Sequence, residues 1–165
     1  MKRLIVAFLL LGITTNHAKK VVNGVKKTVV FVGMVGDMFH VGHVNILKNA
    51  RNFGDYLIVG VTADDDAQSY KRVPILTFEE RKAVIGVCKY VDEVVREPLH
   101  MSKEFIEEHG IDVVVHGNDM NEETLKIFYQ VPMEMGILKV LPYTPGISTS
   151  QIIQRILARA QEFKK

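Results

Sequence analysis

The order of segments along this sequence predicts an α/β fold with one domain, built on an open, doubly wound sheet of about five parallel strands. Strand-like and helix-like segments alternate from Thr28 onward, and no long polar linker interrupts them. Three of the strand-like segments are nearly continuous apolar runs, which is typical of parallel strands covered by helices on both faces. Together these observations predict a Rossmann-like sheet, whose ligand crevice lies beyond the carboxyl ends of the strands.

The predicted strands comprise residues 28–32, 56–61, 91–95, 111–116 and 137–141. Thr77 with Glu80 and Ser148 with Gln151 match the capping-box pattern of helix starts, and Asn121 precedes two glutamates at a third start. In the helix after Ser148, apolar residues recur at helical spacing, which predicts a face that packs on the domain. The residues of that face are Ile152, Ile153, Ile156, Leu157 and Ala160.

The composition indicates a globular domain without a general affinity for polyanions. Of the 165 residues 47% are hydrophobic, which suffices for one core. The formal charge of +2, from 21 basic and 19 acidic residues, predicts no nucleic-acid partner and requires any basic site to be local. The single cysteine, Cys88, excludes an intrachain disulfide and is expected to be a buried thiol within a helix.

Residues 1–27 are predicted to be a leader that precedes a domain of residues 28–165. The leader begins with Lys2 and Arg3 and continues with an apolar run over 4–13, which has the outline of a secretory signal. Asn16 is not the small residue expected three positions before a signal cleavage site. About ten apolar residues form a helix of only ~15 Å, which is too short to cross a ~30 Å hydrocarbon core. A signal or membrane-associating segment, a packed or disordered leader, and an over-long start stay open. We expect a cytoplasmic location, with a secretory or membrane-associated one left open by this leader.

A histidine-containing turn follows the first predicted strand. Within residues 36–43, His40 and His43 stand three positions apart where the next helix begins, so both rings can face the crevice. Gly42 lies between them and allows a phosphate to come close to the backbone, where a helix N-terminus offers free N–H groups. The turn therefore predicts an anion site. A pair of histidines that caps the helix and half of a metal site are the alternatives.

A second turn, over residues 145–150, lies between the last predicted strand and the last helix. Gly146 permits a tight turn, and Ser148, Thr149 and Ser150 place hydroxyl groups beside the free amides of a helix N-terminus. This pattern fits the tail of a triphosphate. An ordinary N-cap would explain Ser148 with Gln151 alone, without the two further hydroxyls.

The segment from His40 to His43, HVGH, and the segment from Gly146 to Ser150, GISTS, resemble the HxGH and GIST signatures of the cytidylyltransferase family. The resemblance covers about residues 28–157. Further similar stretches are 61–64 at the second strand end, 77–81 with 90–94, and 116–119. The resemblance implies an enzyme that transfers CMP from CTP to a small phosphate- or phosphonate-bearing alcohol or amine and releases pyrophosphate.

Four short stretches, residues 32–34, 69–72, 114–117 and 142–144, are still more similar to the nucleotidyltransferase domains of phosphonate pathways, some of which are fused to phosphoenolpyruvate mutase. A 2-hydroxyethyl- or 2-aminoethylphosphonate acceptor is thus as compatible with the sequence as phosphoethanolamine or phosphocholine. Tyr143 occupies a position where much of the family has arginine, Lys89 replaces another arginine, and the GxFD pattern before the histidines is altered.

The resemblance implies that His40, His43 and Lys71 are catalytic, with either imidazole cationic near neutral pH. It assigns the acceptor to Asp37, Lys71, Arg72 and Arg81. The residues that it assigns to the nucleotide are Val32, Gly33, Asp37, Gly42, Asp64, His116, Gly117, Asn118, Asp119, Tyr143, Gly146, Ile147, Ser148, Thr149 and Ser150.

The resemblance further implies Mg²⁺ bound with the triphosphate and a homodimer that pairs near the histidine turn. Two alternatives stay open. The first is an adenylyltransferase of the same superfamily, which would use ATP, and the second is a catalytically silent nucleotide-binding paralogue. Retention of His40, His43, Lys71, Ser148 and Thr149 argues against the silent paralogue, which has no chemical need for all five.

Overall fold

The computed structural model describes residues 19–164. Strands β1 (Val21–Val22) and β2 (Val25–Lys26) form a short antiparallel hairpin. The main sheet has five parallel strands: β3 (Val29–Met34), β4 (Tyr56–Thr62), β5 (Glu93–Glu97), β6 (Val113–Gly117) and β7 (Leu138–Leu141). Its spatial order is β5-β4-β3-β6-β7, which confirms the predicted doubly wound sheet. From β3 the chain adds β4 and β5 on one side and then β6 and β7 on the other, so the order of strands reverses between β3 and β6. The crevice expected of such folds lies between the carboxyl ends of these two strands.

Six helices connect the strands: α1 (Val41–Ala50), α2 (Asp64–Tyr70), α3 (Phe78–Gly86), α4 (Lys103–His109), α5 (Glu122–Glu134) and α6 (Thr149–Ala158). Short 3₁₀ turns follow α1 and α6. The predicted helix starts are confirmed. Thr77 accepts a hydrogen bond from the Glu80 amide while the Glu80 carboxylate accepts one from the Thr77 amide, and Asn121 and Ser148 each cap their helices by accepting from an amide three residues on.

Two apolar clusters, one on each face, hold the helices on the sheet. Val29, Phe31 and Val114 are buried on the face that α4 and α5 cover. Val30, Val32 and Val115 point to the opposite face, which α1 and α3 cover. This alternation along the strands explains why their sequences read as continuous apolar runs.

The sequence predicts that residues 21–27 are a short basic connector after the leader, but the structure forms the hairpin there. Asn23 and Gly24 both have positive φ, 50° and 77°, which is the backbone of a two-residue type I′ turn. Lys19 and Lys20 hold the hairpin to the domain through ion pairs with Asp112 and Glu93. The prediction for residues 1–18 lies outside the described residues. Within residues 19–164, no helix has the length and apolar character needed to cross a membrane.

Two predictions about burial differ from the structure. Ile152 and Ile153 are half-buried, but Ile156 and Leu157 are 43% and 69% exposed, so the apolar face of α6 is only partly covered. Cys88 lies two residues beyond the end of α3 and is half-buried against the cluster beneath that helix. Helical spacing predicted α6 correctly, whereas the prediction that Cys88 lies within a helix is wrong, because α3 ends at Gly86. Burial depends on what packs on each segment.

Candidate active site

A crevice opens over the carboxyl ends of the strands and encloses about 1100 Å³, including space open to solvent. Segments that follow β3, β4, β6 and β7 all contribute to its lining, as the fold class predicts. Most of the site residues predicted from the sequence lie there. They are Gly33, Asp37, His40, Gly42, His43, Lys71, Arg72, His116, Gly117, Asp119, Tyr143, Ser148, Thr149 and Ser150.

Both histidines are oriented by backbone amides at the start of α1. His40 is the N-cap, and its Nδ1 accepts a hydrogen bond from the Gly42 amide at 3.1 Å. The Nδ1 of His43 accepts from the His40 amide at 3.2 Å. Because Nδ1 is an acceptor in both rings, each neutral imidazole carries its proton on Nε2. The two histidines therefore cap the helix through Nδ1, as one alternative predicted, and the same arrangement leaves both Nε2–H groups free to donate to a ligand.

The histidines are held in their neutral form, which corrects the expectation that either ring is cationic near neutral pH. Burial, together with the neighbouring His40 and Lys71, lowers the pKa of His43 to about 3, although Asp37 acts in the opposite direction. Burial also lowers the pKa of His40. The rings stack with centroids 3.9 Å apart, a geometry that disfavours two positive charges. Lys71 lines the same crevice as the histidine pair.

Asp37 ties the histidine turn to two other segments of the crevice. Its carboxylate is 4% exposed and accepts hydrogen bonds from the amides of Ile75 at 3.1 Å and Leu76 at 3.0 Å. Its carbonyl oxygen accepts from the hydroxyl of Thr149 at 2.8 Å. Asp37 thus orients the turn, and both of its carboxylate oxygens are already engaged by backbone amides.

The start of α6 faces the histidine turn across the crevice. Ser148 caps the helix by accepting from the Gln151 amide at 3.1 Å, and Gly146 turns the chain before it with φ 79°. Ser150 accepts from Arg72 Nη1 at 3.4 Å. The Nε of Arg72 is buried and has no hydrogen-bond partner among residues 19–164. An unsatisfied cationic donor beside a helix N-terminus is suited to an anion.

The segments after β6 and β7 form one end of the crevice. The His116 ring hydrogen-bonds through Nδ1 to the Gly117 carbonyl oxygen at 2.6 Å, and Asp119 stands beside it. Asn118 accepts from the Tyr143 amide at 2.7 Å and so joins the two loops. The Tyr143 hydroxyl donates to the Ile147 carbonyl oxygen at 3.2 Å, so this side chain is neutral and engaged within the loop.

Arg81 and Asp64 are structural, which corrects their predicted contacts with acceptor and nucleotide. Arg81 is fully buried, and its guanidinium donates to the carbonyl oxygens of Val35, Thr62 and Leu76 and to the Asp64 carboxylate. Four of its five N–H donors are used inside the protein, and neither residue lines the crevice. Four other predicted residues also fall outside the lining, namely Val32, Asn118, Gly146 and Ile147. Val32 is in the core, and Asn118 acts through the loop that it holds.

Sequence reasoning missed a polar cluster at the β4–β5 end of the crevice. Glu97, the last residue of β5, lines the crevice with a side chain that is almost fully buried. Thr62 and Tyr129 donate to its carboxylate, and Tyr70 lies alongside. The rule that ligand residues follow strand ends could have found Glu97, but a glutamate next to Arg96 resembles an ordinary surface charge.

Comparisons with known proteins agree with this geometry. Residues 33–155 match the family model described as cytidylyltransferase-like. The chain is 40% identical over 126 residues to a probable ethanolamine-phosphate cytidylyltransferase of Encephalitozoon cuniculi, covering 74% of this chain and 39% of that protein. It is 37% identical over 132 residues to choline-phosphate cytidylyltransferase A of Rattus norvegicus, covering 78% and 36%. The chain thus spans less than two fifths of the length of these curated relatives.

A solved structure has the same fold. The lipopolysaccharide core biosynthesis protein of Thermoplasma volcanium GSS1 superposes with a TM-score of 0.59 at 26% sequence identity. The match covers 72% of this chain and 97% of that one. The resemblance to the cytidylyltransferase family noted in the sequence is therefore supported over residues 33–155.

Proposed function

The chain belongs to the cytidylyltransferase-like family, and from that premise we propose that it transfers CMP from CTP to a small acceptor that bears a phosphate or phosphonate group. The observation that carries the proposal is the convergence of two Nε2–H donors, Lys71 and the start of α6 on one crevice. An acceptor oxygen attacks the α-phosphorus in line, and pyrophosphate leaves. Such a reaction needs positioning and charge stabilisation, and it needs no covalent intermediate.

Because the two histidines are neutral, we propose that they act as hydrogen-bond donors and not as positive charges. Each Nε2–H donates a hydrogen bond to phosphoryl oxygens, on which negative charge grows in the transition state. Lys71 supplies the positive charge, and Arg72 with the amides of α6 binds the pyrophosphate end of CTP. The proposal places the cytidine moiety beside His116 and Asp119, at the β6–β7 end of the crevice.

Mg²⁺ is part of the proposal because it offsets the charge of a triphosphate. Among residues 19–164, no group of three or more histidine, cysteine or acidic side chains could hold a metal. This fits an ion carried mainly by the substrate phosphates, since Mg²⁺ commonly takes only one or two carboxylates from the protein. Asp119 is the acidic residue at the nucleotide end that would contact it.

The acceptor that we favour is phosphoethanolamine or phosphocholine, because curated relatives carry the names of enzymes for these compounds. The short stretches shared with phosphonate-pathway domains keep 2-aminoethyl- and 2-hydroxyethylphosphonate in the test panel. An adenylyltransferase is the second candidate, and it would prefer ATP in the same assay.

We also propose that two copies pair near the histidine turn. Val41, the first residue of α1, is 55% exposed directly beside His40, which leaves apolar surface at this face. Light scattering at micromolar concentration should give twice the chain mass, and Val41→Glu should give a monomer. A wild-type monomer under these conditions would contradict the pairing.

The deciding experiment incubates the purified protein with CTP or ATP, Mg²⁺ and each phosphate and phosphonate acceptor. Pyrophosphate release and the mass of the cytidylylated product are the two measurements. We expect release with CTP and at least one acceptor, and much less with ATP. Release with ATP alone would identify an adenylyltransferase, and no release with any pair would indicate a binding protein.

A further inference from the structure

Lys71 belongs to a short segment that lies along the crevice. Residues 71–74, which we call the strap, run from the end of α2 to the two backbone amides that the Asp37 carboxylate holds. Lys71 and Arg72 of the strap line the crevice. The Lys71 side chain is exposed and makes no hydrogen bond or ion pair with residues 19–164. Because its four-carbon stem is flexible, the position of its ammonium depends on how the strap is held.

The start of α2 is fixed by charged residues. Asp64, its first residue, pairs with the buried guanidinium of Arg81 and accepts from the Phe78 amide at 3.1 Å. Asp66 pairs with Arg96 at 3.2 Å. These contacts all lie in the first turn of a helix of seven residues. The last turn, from which the strap departs, must therefore be held by other contacts.

An aromatic contact holds that last turn. Tyr70 is the final residue of α2, and its ring packs against Phe128 of α5 with centroids 5.1 Å apart and planes tilted by 50°. Phe128 also stacks with His100, with centroids 5.6 Å apart. Phe128 is half-buried and packs on the apolar cluster that α4 and α5 cover. It therefore anchors Tyr70 to the domain one residue before Lys71.

A kink in α5 lies at Phe128 and is held by the loop after β5. Pro132 has no N–H to bond the carbonyl oxygen of Phe128 four residues before it, and the backbone at Tyr129 is non-helical, with φ −124° and ψ 27°. The Met101 amide donates to that carbonyl oxygen instead, at 3.0 Å. His100 Nδ1 bonds the preceding carbonyl oxygen at 3.1 Å. The backbone that carries Phe128 is thus fixed on both sides of the kink.

We infer that Phe128 is a positioning residue, which holds the strap through Tyr70 and so sets where the Lys71 ammonium lies in the crevice. The inference rests on the proposed function for the catalytic role of Lys71. Phe128 does not line the crevice that contains the histidine pair, so it acts on the reaction through Tyr70 and not by contact with the reacting groups. An aromatic pair of this kind favours the packed arrangement by a factor of about 2 to 10.

Limited digestion with trypsin tests the anchoring without any reaction. Trypsin cleaves after lysine and arginine, so Lys71 and Arg72 report how often the strap leaves its folded position. Phe128→Ala should raise the rate of cleavage at these two residues by about 2- to 10-fold, because the packed arrangement loses its aromatic pair. Phe128→Tyr keeps the ring and should be cleaved there at the wild-type rate. Mass spectrometry of the fragments identifies the cleaved bonds.

The matched control is Phe105→Ala. Phe105 packs on the same apolar cluster from α4, where its ring contacts Phe31 and His109. Urea denaturation should show a similar loss of stability for this variant and for Phe128→Ala, since both lose a phenyl ring from one cluster. Phe105→Ala should nevertheless leave cleavage of the strap and turnover unchanged. An equal rise in cleavage of the strap in both variants would mean that it opens only with the whole domain, and would overturn the inference.

A double-mutant cycle with Lys71 tests the link to the reaction. At saturating CTP and acceptor, Phe128→Ala should lower kcat by about 2- to 10-fold in the wild-type background and cause no further loss in Lys71→Ala, because its effect passes through Lys71. An unchanged kcat in Phe128→Ala, or equal losses in both backgrounds, would overturn the inference. If the wild type releases no pyrophosphate, the proposed function fails, whereas the digestion still decides whether Phe128 holds the strap. Unchanged cleavage at Lys71 and Arg72 in Phe128→Ala overturns the inference in either case.

Discussion

The imidazole rings of His40 and His43 stack with centroids 3.9 Å apart, and each ring has its Nδ1 engaged by a backbone amide. The same two hydrogen bonds cap α1 and fix the tautomer. The helix start thereby turns both Nε2–H groups into fixed donors, and backbone amides supply the hydrogen bonds that orient them. Second-shell carboxylates commonly perform that task for functional histidines.

Substitution of His40 separates the capping role from the donor role. His40→Ala should lose about 10²–10³-fold in kcat because it removes a donor directed at transition-state charge, and it should cost about 1 kcal/mol through the lost cap. His40→Asn keeps an N-cap residue and should recover the stability without the rate. His43→Ala should show a similar loss in kcat. Near-wild-type turnover in both alanine variants would contradict the proposed mechanism.

The titration of His43 gives a second prediction. Its folded pKa of about 3 is below the ordinary value of 6.5, so between these pH values the unfolded chain binds a proton that the folded chain does not. The stability contributed by neutral His43 is complete above about 6.5 and is lost as the pH falls toward 3. NMR should show no titration of this ring between pH 5 and 8, while the urea-unfolded chain titrates near 6.5. Titration of the folded ring near 6.5 would disprove the neutral assignment.

Local signals in the sequence predicted much of the fold. The capping box at Thr77 depends on residues three positions apart, and the apolar strands depend on burial on both faces, so both were readable from the chain. Asn23-Gly24 is an equally local hairpin signal that was overlooked because it lies among basic connector residues.

The site was less predictable where a residue's partners come from distant segments. The sequence assigned Arg81 to the acceptor, but its burial depends on carbonyl groups at the ends of two strands and a loop. The sequence assigned no role to Glu97, and its burial depends on Gly33 in a strand two positions away in the sheet. No spacing rule along one segment could have revealed either arrangement.

Arg81 provides a third prediction, because its guanidinium is a tertiary cross-link. Arg81→Ala should cost roughly 3–5 kcal/mol of the free energy of unfolding, since it leaves three buried carbonyl groups and the Asp64 carboxylate without their donor. Urea denaturation at pH 7 measures the change. Arg96→Ala removes an exposed cation paired with Asp66 and should change stability by less than about 1 kcal/mol. An Arg81→Ala variant of normal stability with a raised acceptor KM would restore the original prediction of an acceptor contact.

The last prediction concerns how this chain compensates for Tyr143, which is neutral where much of the family has arginine. Arg72 is the structural candidate, since its Nη1 contacts Ser150 at 3.4 Å and its buried Nε has no partner among residues 19–164. Arg72→Ala should weaken CTP binding by roughly 1.5–3 kcal/mol, because a charged set of phosphate contacts is lost. Calorimetric titration with CTP measures this, and Arg159→Ala, an exposed cation paired with Glu162, is the matched control that should leave affinity unchanged.

Adding Tyr143→Arg to Arg72→Ala should then restore part of the affinity, because it returns one guanidinium to the lining of the crevice at a different position. Restored affinity would establish that an arginine at position 72 or at position 143 can supply the positive charge that binds the triphosphate. If Arg72→Ala leaves CTP affinity unchanged, the unpaired Nε has no role in phosphate binding, and the compensation between Arg72 and Tyr143 is wrong.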